Sequence, residues 1–348
     1  MNKIILEDML GINDQIERLY FQNKTILISG ASGFLPAYIV DFLMYLNSNY
    51  NNQQTKIICL VRNMPKALKR FESYIDSPLI EVISHDINIP FDYEFDVDII
   101  IHAASQASPK YYNSDPVGTL LPNVIGTNNL LNLGLIKKIS AFLFFSSGEV
   151  YGQNVKDSFN ENDYGVVDPL SVRSCYAESK RMGENLCVRY AHQYNMNIKI
   201  VRPFHTYGPK MNLDDGRVFA DFVSDIIKNK NLVIKSDGKT ERCFCYLKDA
   251  VVGFLKVLIQ GETGNAYNIG NPYEIYSVAD LAKKILETQE QNELKLVFQE
   301  HENKNYLKSP YLKMIPNIDK VFKLGWKPTT TVSEGFSRTI KSYTQDDK

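Results

Sequence analysis

A tyrosine and a lysine four residues apart, Tyr176 and Lys180, are the residues whose types and spacing most directly suggest chemistry. The stretch "SCYAESK" is predicted to be helical, and a spacing of four places both side chains on one helix face. An ammonium group beside a phenol stabilises phenolate and lowers the pKa of the phenol. A phenolate can accept the proton of an alcohol while hydride leaves the same carbon.

The stretch "SSGEVYG" supplies two further candidates, Ser147 and Glu149. Ser147, at the predicted end of a strand, can hydrogen-bond the hydroxyl that the tyrosine deprotonates. If the chain there is extended, a spacing of two points both side chains to the same face. A carboxylate at such a place is costly to desolvate unless it is used or paired. The alternative role for Glu149 is pairing with a nearby arginine or a backbone amide.

A glycine-containing loop, "SGASGFLPAYIV" at residues 29–40, follows the predicted strand "TILIS". Gly30 allows a tight turn, and Gly33 lets a pyrophosphate approach the start of the following helix. Pro36 stands where the dinucleotide fingerprint usually has its third glycine, and proline in a first helical turn loses no hydrogen bond. The loop, with Ser32, Phe34 and Leu35, therefore predicts a bound NAD or NADP.

The second strand, "KIICLVRN", ends in Arg62 rather than in the acid that would accept from the ribose 2′-hydroxyl of NAD. An arginine suits a 2′-phosphate and favours NADP, although a solvated strand-end arginine is the alternative. Asp86 is expected to accept from the adenine amino group. The remaining expected cofactor contacts are Ile87, Ala103, Ala104, Ser105, Asn123, Tyr176 and Lys180.

Positioning these residues requires alternating strands and helices. Apolar runs predicted as strands, such as "KTILISG", "VDIIIHAAS" and "AFLFFSSGEVYG", alternate with helix-like segments such as "PAYIVDFLMYLN" and "NVIGTNNLLNLGL". This pattern predicts an α/β fold with a Rossmann-like, doubly wound parallel sheet and a smaller C-terminal substrate-binding lobe. We expect an N-terminal helical extension over 1–22, the dinucleotide-binding domain over 23–202, and the lobe over 203–348 with segments returning to the sheet.

Composition limits the remaining function classes. The chain has 348 residues, 44% of them hydrophobic and 23% charged, with a formal net charge of −1. This balance gives no reason to expect a nucleic-acid or membrane partner. The five cysteines form no disulfide framework, and no N-terminal apolar run resembles a signal, so a cytoplasmic location is expected. Cys243 and Cys245 are interpreted as alternate residues of a strand, and no metal is expected.

Four stretches resemble one known family: "ASQASPKYYNSDP", "SSGEVYG", "SCYAESKRMGEN" and "RPFHTYGPKMNLDDGRV". From Lys24 to about Ser342 the chain resembles extended short-chain dehydrogenases/reductases of the NAD-dependent epimerase/dehydratase family. Within that family it is most similar to the UDP-glucuronate decarboxylases (UDP-xylose synthases). The resemblance implies a nucleotide-sugar enzyme with tightly bound NAD(P), a redox-neutral cycle and a 4-keto intermediate. The catalytic residues that it implies are Ser147, Glu149, Tyr176 and Lys180.

The resemblance also implies a set of substrate contacts. Arg242 is expected to face either a substrate carboxylate or the pyrophosphate. Arg173 and Arg217 are further candidates, with surface salt bridges as the alternative role. His205 replaces the asparagine usual in its motif, which suggests changed substrate contacts. The complete expected set is Ser108, Glu149, Arg173, His205, Arg217 and Arg242.

Several reactions remain open from the sequence. A UDP-uronate decarboxylase is the first choice, and a nucleotide-sugar 4-epimerase, which needs neither Glu149 nor a carboxylate-facing arginine, is the second. Gly148 stands where decarboxylases usually have serine and dehydratases aspartate, which disfavours 4,6-dehydration. A non-catalytic cofactor sensor is disfavoured because Ser147, Tyr176 and Lys180 are intact.

The expected partners are a nucleotide sugar, best matched by a UDP-sugar, and a second copy of the chain in a homodimer. A specialised sugar of a surface polysaccharide fits as well as glucuronate.

Overall fold

The computed structural model describes residues 2–90, 94–153, 156, 158–289, 293–299 and 313–344. The helices in chain order are α1 Lys3–Asn13, α2 Phe34–Asn49, α3 Met64–Arg70, α4 Lys110–Ser114, α5 Pro116–Leu121, α6 Thr127–Lys137, α7 Ser174–Tyr194, α8 Val218–Ile227, α9 Leu247–Gln260, α10 Val278–Glu287, α11 Asp319–Phe322 and α12 Val332–Thr344. The strands are β1 Thr25–Ser29, β2 Lys56–Val61, β3 Ile80–Ser84, β4 Ile99–His102, β5 Ala141–Phe145, β6 Ser158–Phe159, β7 Ile198–Pro203, β8 Thr206–Tyr207, β9 Leu232–Ile234, β10 Glu241–Cys243, β11 Cys245–Tyr246, β12 Asn265–Ile269, β13 Ile275–Ser277, β14 Leu296–Phe298 and β15 Ile315–Pro316.

A parallel sheet of seven strands forms the centre of the fold, in the order β12-β7-β5-β4-β1-β2-β3. The register places Ile26 of β1 opposite Ile57 of β2 on one side and Ile99 of β4 on the other. Strand order reverses at β1, between β2 and β4, which is where ligands bind in such sheets. The predicted α/β class with a doubly wound parallel sheet is confirmed.

Helices cover both faces of the sheet because its strands are apolar on both faces. Along β1, Ile26 and Ile28 belong to one buried cluster, which includes residues of α1, α2 and α9. Leu27 between them belongs to a second cluster, which includes residues of α6 and α7. This alternation places the glycine loop and α2 on one side of the sheet, and α7, with Tyr176 and Lys180, on the other.

The C-terminal part of the chain forms a third buried cluster, contributed mainly by α8, α10 and α12 and by short strands. The strand pairs here are β8 with β11, β9 with β14, and β10 with β13. One segment returns to the central sheet as β12, where Ala266 pairs with Ile200 of β7. The cluster lies next to the carboxyl ends of the sheet strands because β8 follows β7 after only two residues.

One local expectation was wrong. The predicted strand over 141–152 ends at Phe145, and a 3-10 turn at Gly148–Tyr151 follows, with Ser147 as its N-cap. The backbone N–H of Glu149 donates to Ser147 Oγ at 3.2 Å, so the two residues are not alternate members of an extended strand. Here the side-chain cap outweighed the apolar periodicity. The helix predicted over 123–135 is confirmed, and its first residues form a π-helical turn, Pro122–Gly126, before α6.

The described part of the chain contains no helix that is both long enough and apolar enough to cross a membrane. All five cysteines are present as free thiols. Cys243 ends β10 and Cys245 begins β11, and both side chains are fully buried. Within the described ranges no group of three or more His, Cys, Asp or Glu side chains is arranged to hold a metal ion.

Candidate active site

A cavity of about 530 Å³ opens at the carboxyl ends of β1, β4 and β5, facing the C-terminal cluster. It brings together side chains from parts of the chain as distant as Gly33 and Arg242. The predicted site residues that line it are Gly33, Phe34, Leu35, Arg62, Ala103, Ser105, Ser108, Ser147, Glu149, Arg173, Tyr176, Lys180, His205, Arg217 and Arg242. Ligands of open α/β sheets bind at this edge.

The other predicted residues are not part of the cavity lining: Gly30, Ser32, Asp86, Ile87, Ala104 and Asn123. Asp86 Oδ1 accepts the backbone N–H of Asn88 at 3.0 Å. Ile87 is buried against Gly126 of the π-helical turn. Asn123 is completely buried, and its amide donates to the carbonyl of Thr119 and to Ser179 Oγ. Direct cofactor contact by these residues remains a prediction.

The glycine loop has the geometry of a phosphate cradle. Gly30 has a φ of 65°, and a Cβ there would lie 2.6 Å from Ala104 Cα, so no larger residue fits without movement. Gly33 is the N-cap of α2, whose first backbone N–H groups have no partner within the helix. Pro36 is the third residue of α2, as expected for a proline that costs no hydrogen bond.

Ser105 adds a second observation at this end of the cavity. Its Oγ is buried and has no hydrogen-bond partner among the described residues. A buried hydroxyl without a partner is costly and indicates a missing ligand or water. Together with the glycine cradle and the start of α2, it fits a bound dinucleotide.

Tyr176 and Lys180 lie on α7, one turn apart, and both are buried. Lys180 Nζ donates to the carbonyl of Phe145 at 2.6 Å and lies 5.7 Å from the ring centre of Tyr176. Tyr176 also forms a hydrogen bond with Ser147. The predicted meeting of Ser147, Tyr176 and Lys180 is therefore present in the structure.

The expected lowering of the phenol pKa is wrong for the protein's own groups. Burial raises the pKa of Tyr176 to about 12, although the hydrogen bond from Ser147 and the charge of Arg217 lower it. Burial lowers the pKa of Lys180 to about 7, opposed by the charge of Glu184. Desolvation disfavours the charged form of both groups and is the largest cause of both shifts. Lys180 therefore titrates near neutral pH while Tyr176 keeps its proton.

Glu149 reaches the same cavity from the 3-10 turn. Its Oε1 lies 3.8 Å from Arg173 Nη2. The guanidinium of Arg173 in turn lies 5.6 Å from the ring centre of Tyr112. Tyr112 stacks on Tyr176, with ring centres 5.2 Å apart and planes 16° apart. The arginine pairing that the sequence left open for Glu149 is thus realised beside the phenol.

Tyr112 and Asp215 were missed by sequence reasoning. Asp215 Oδ2 lies 3.1 Å from Arg217 Nε, and its carbonyl accepts from Ser108 Oγ at 2.6 Å. Arg217 Nη2 also donates to the carbonyl of Ala107 at 3.2 Å. The motifs "ASPKYY" and "DDGR" contained both residues. Nothing local distinguished Tyr112 from Tyr111, or Asp215 from Asp214, because the distinguishing contacts come from distant segments.

His205 and Arg242 complete the lobe side of the cavity. Burial, and then the charges of Arg242 and Arg217, hold the pKa of His205 well below its usual range. His205 is therefore neutral, and its Nδ1 is buried without a hydrogen-bond partner in the described ranges. Arg242 is almost buried, and its Nη1 donates to the carbonyl of Glu241 at 2.7 Å. The positive charges that act on His205 are those of Arg242 and Arg217.

Arg62 is exposed, follows β2 directly and lines the cavity end nearest the glycine loop. Its placement matches the sequence expectation, and contact with a 2′-phosphate remains a prediction.

A doubly wound parallel sheet with a glycine loop after β1, and a serine, tyrosine and lysine meeting at β5 and α7, defines a dinucleotide-dependent enzyme domain. The chain belongs to the NAD dependent epimerase/dehydratase family, whose pattern matches residues 26–270. Membership confirms the predicted family resemblance and the predicted nicotinamide dinucleotide cofactor.

Relatives and solved structures extend this likeness over most of the chain. UDP-glucuronic acid decarboxylase 6 of Arabidopsis thaliana is 36% identical over 91% of this chain and 88% of its own length. UDP-glucuronic acid decarboxylase 1 of Xenopus tropicalis is 33% identical over 93% and 73%. The structure of UDP-glucuronic acid 4-epimerase from Bacillus cereus with UDP-glucuronic acid and NAD has a TM-score of 0.76, with 22% identity over 92% and 99%. At that identity the structural likeness concerns the fold alone.

Replacing Gly30 by alanine should reduce the dinucleotide content of the purified protein and lower its Tm. The added Cβ would meet Ala104 Cα at 2.6 Å in a residue with positive φ. Gly264→Ala is the matched control, since Gly264 has a φ of 75° but its Cβ would come no closer than 4.0 Å to another atom. If both variants lose dinucleotide equally, backbone strain explains the loss, and the close approach at Gly30 has no specific role in binding the dinucleotide.

Replacing Lys180 by methionine should remove activity and also remove the pH dependence of stability that this lysine causes. The pKa of Lys180 in the folded state, about 7, is below its value of 10.5 outside the protein. The unfolded chain therefore binds more protons between these values, and wild-type stability rises with pH across that window. Relative to the wild type, the variant should therefore lose on the order of a few kcal/mol of stability between pH 7 and pH 10.5. A cost that does not depend on pH is added at every pH, because the carbonyl of Phe145 loses its donor.

Thermal unfolding at several pH values measures this difference. Lys69→Met, at an exposed position of α3, is the control and should show no comparable pH-dependent loss. An equal stability difference between Lys180→Met and the wild type at pH 7 and at pH 10.5 would contradict the low pKa of Lys180.

Proposed function

We propose that this protein is a UDP-glucuronate decarboxylase that works through a tightly held NAD(P) and a 4-keto sugar. The observation that carries the proposal is the placement of Glu149 and Arg173 in one cavity with Ser147 and Tyr176. A simple epimerase needs only the serine, tyrosine and lysine. The names of the curated relatives, which align with about nine-tenths of the chain, support the same substrate class.

Gly30, Gly33 and the start of α2 are the groups proposed to hold the dinucleotide, with the buried Ser105 Oγ as an additional partner. When bound, this group supplies a reversible acceptor for the hydride of C4. The protein's own residues must bind the sugar, move its protons and keep water away from the 4-keto state.

Ser147 and Tyr176 are proposed to hold the C4 hydroxyl between them. Tyr176 can accept the hydroxyl proton only as phenolate, and its pKa of about 12 means that deprotonation must be assisted. Arg217 and the hydrogen bond from Ser147 both lower that pKa. Lys180, whose own pKa is about 7, can carry the released proton near neutral pH.

Once C4 is a carbonyl, the carboxylate on C5 belongs to a β-keto acid. The C5–carboxylate bond breaks, CO2 leaves, and the electron pair moves into an enolate on the C4 oxygen. Protonation at C5 and reduction at C4 complete the cycle. Glu149 is proposed to orient the ring or move the C5 proton, and Arg173, only 3.8 Å away, to face the sugar acid.

Incubation of the purified protein with UDP-glucuronate should release CO2 and give the pentose nucleotide. UDP-, CDP-, GDP- and dTDP-linked sugars serve as competitors, and mass spectrometry identifies each product. Loss of water would indicate a dehydratase, and unchanged mass with altered NMR couplings an epimerase.

Tyr176→Phe removes one oxygen and should lower turnover at least about a hundredfold with dinucleotide retained. Near-normal turnover would remove Tyr176 from the chemistry.

Replacing Glu149 by glutamine should separate oxidation at C4 from the later chemistry at C5. The amide keeps the volume but cannot transfer the proton, so overall turnover should fall strongly while reduced nicotinamide accumulates with substrate. Absorbance of the reduced cofactor during single turnovers measures this. Glu178→Gln, a charge change elsewhere on α7 that lies outside the cavity wall, is the control. Normal turnover of Glu149→Gln would favour the epimerase.

The dinucleotide released by denaturation identifies the cofactor. Arg62 at the end of β2 supports NADP as at least part of the content. Finding NAD alone, with unchanged affinity in Arg62→Ala, would leave Arg62 no role in cofactor choice.

We also infer a homodimer in the cytoplasm. Exposed apolar side chains on neighbouring helices, Val117 of α5, Ile125 of the π-helical turn and Met182 of α7, support a self-association face. Five free thiols support a reducing compartment. A monomer mass by light scattering would contradict the dimer.

A further inference from the structure

A buried chain of hydrogen bonds starts at the ends of β1 and β4. Ser29, the residue before Gly30, has its Oγ 2.7 Å from His102 Nδ1. The same Oγ accepts the backbone N–H of Ala104 at 3.3 Å. Because Oγ already accepts there, the Ser29 hydroxyl is free to donate its proton to His102 Nδ1.

The other ring nitrogen fixes the tautomer of His102. Its Nε2 lies 3.0 Å from Thr127 Oγ1, and Thr127 donates its hydroxyl proton to the carbonyl of Asn123 at 2.6 Å. Thr127 must therefore accept from His102, which requires Nε2–H. His102 also has a hydrogen bond with the backbone of Pro122, and a carbonyl can only accept. Burial, and then the charge of Lys180, lower the pKa of His102 to about 3, in agreement with a neutral ring.

The chain continues through the π-helical turn into α7. The side-chain amide of Asn123 donates to Ser179 Oγ at 3.0 Å. Ser179 donates to the carbonyl of Tyr176 at 2.9 Å. Ser29, His102, Thr127, Asn123 and Ser179 are each at most 2% exposed. A continuous, directed path therefore joins the strand that carries the glycine loop to the helix that carries the catalytic pair.

We propose that this path positions α7 against the cofactor-binding ends of β1 and β4, with His102 and Thr127 as positioning residues. The path begins at Ser29, which adjoins the glycine loop, and ends at the backbone carbonyl of Tyr176, whose phenol is proposed to move the proton. Neither His102 nor Thr127 lines the cavity, so both act through other residues.

The π-helical turn contains the residue that connects the two halves of the path. A π turn is rare and is frequently found at functional sites. Here it contains Asn123, whose backbone carbonyl accepts from Thr127 and whose side-chain amide donates to Ser179. The Oδ1 atom of Asn123 is buried without a hydrogen-bond partner among the described residues. Buried hydrogen bonds of this kind rigidify their surroundings, and loss of one member leaves further groups unpaired. A small displacement of the phenol relative to the reacting carbon then lowers the rate sharply.

The test compares three threonine variants. Thr127→Val removes only the hydroxyl link and should lower kcat about tenfold or more, with KM within about twofold of the wild type. Thr127→Ser keeps the link and should restore kcat. Thr339→Val is the matched control, because Thr339 on α12 is equally buried but donates only within its own helix. Equal kcat losses in Thr127→Val and Thr339→Val, or no recovery in Thr127→Ser, would overturn the proposal.

A double-mutant cycle tests continuity. Ser29→Ala breaks the same path at its other end, and the two residues are connected through His102. The double variant Ser29→Ala/Thr127→Val should have a kcat close to that of either single variant, whereas independent sites would multiply their losses. Multiplied losses would show two unconnected structural effects. If Thr127→Val does not fold, Ser29→Ala alone must show a lowered kcat with a KM close to that of the wild type.

The activity readout rests on the proposed function, so a second readout is independent of it. Hydrogen exchange in peptides from α7 should accelerate in Thr127→Val and not in Thr339→Val, with dinucleotide content measured on both. Absence of UDP-glucuronate turnover in the wild type would defeat the proposed reaction and leave this comparison intact. Unchanged exchange in α7 would defeat the positioning role even in an active decarboxylase.

Discussion

The hydrogen bond from Lys180 Nζ to the carbonyl of Phe145 is the contact on which the site depends. At 2.6 Å it ties α7 to the end of β5, and it gives a buried amine its acceptor. The same burial lowers the pKa of Lys180 and raises that of Tyr176, so the pair is not an ammonium and a phenolate at neutral pH. The fold thus positions Tyr176 and Lys180, while the pKa of Tyr176 also depends on Ser147, Arg217 and Glu149.

Two arginines of the cavity are held in place by carboxylates before a ligand arrives. Arg217 is fixed by Asp215 and by the carbonyl of Ala107, and Arg173 by Glu149. Charges held in fixed geometry need little reorganisation when an anion binds. The longer of these contacts, 3.8 Å between Glu149 and Arg173, is also the one that an anionic sugar acid can most easily replace.

The elements that depend on local pattern could be predicted from the sequence. The glycine loop, the parallel sheet and the common face of Tyr176 and Lys180 follow from spacing and apolar runs, and the structure has them. The 3-10 turn after Phe145 could not be predicted, because the apolar pattern of the stretch favours a strand. In the structure Ser147 acts as the N-cap of the turn instead. The role of Tyr112 and the pKa directions depend on contacts between distant segments, so no local pattern contains them.

The N-terminal extension takes part in the same arrangement, although it precedes the residues that match the family. Asp8 of α1 is completely buried and accepts from the hydroxyl groups of Tyr38 at 2.6 Å and Tyr246 at 2.7 Å, and from Arg338 at 2.7 Å. Tyr38 lies on α2, just after the glycine loop, whereas Tyr246 and Arg338 belong to β11 and α12 beside the lobe cluster. A buried carboxylate with three donors is costly to leave unpaired. Asp8 therefore links α2, which follows the glycine loop, to β11 and α12 beside the third buried cluster.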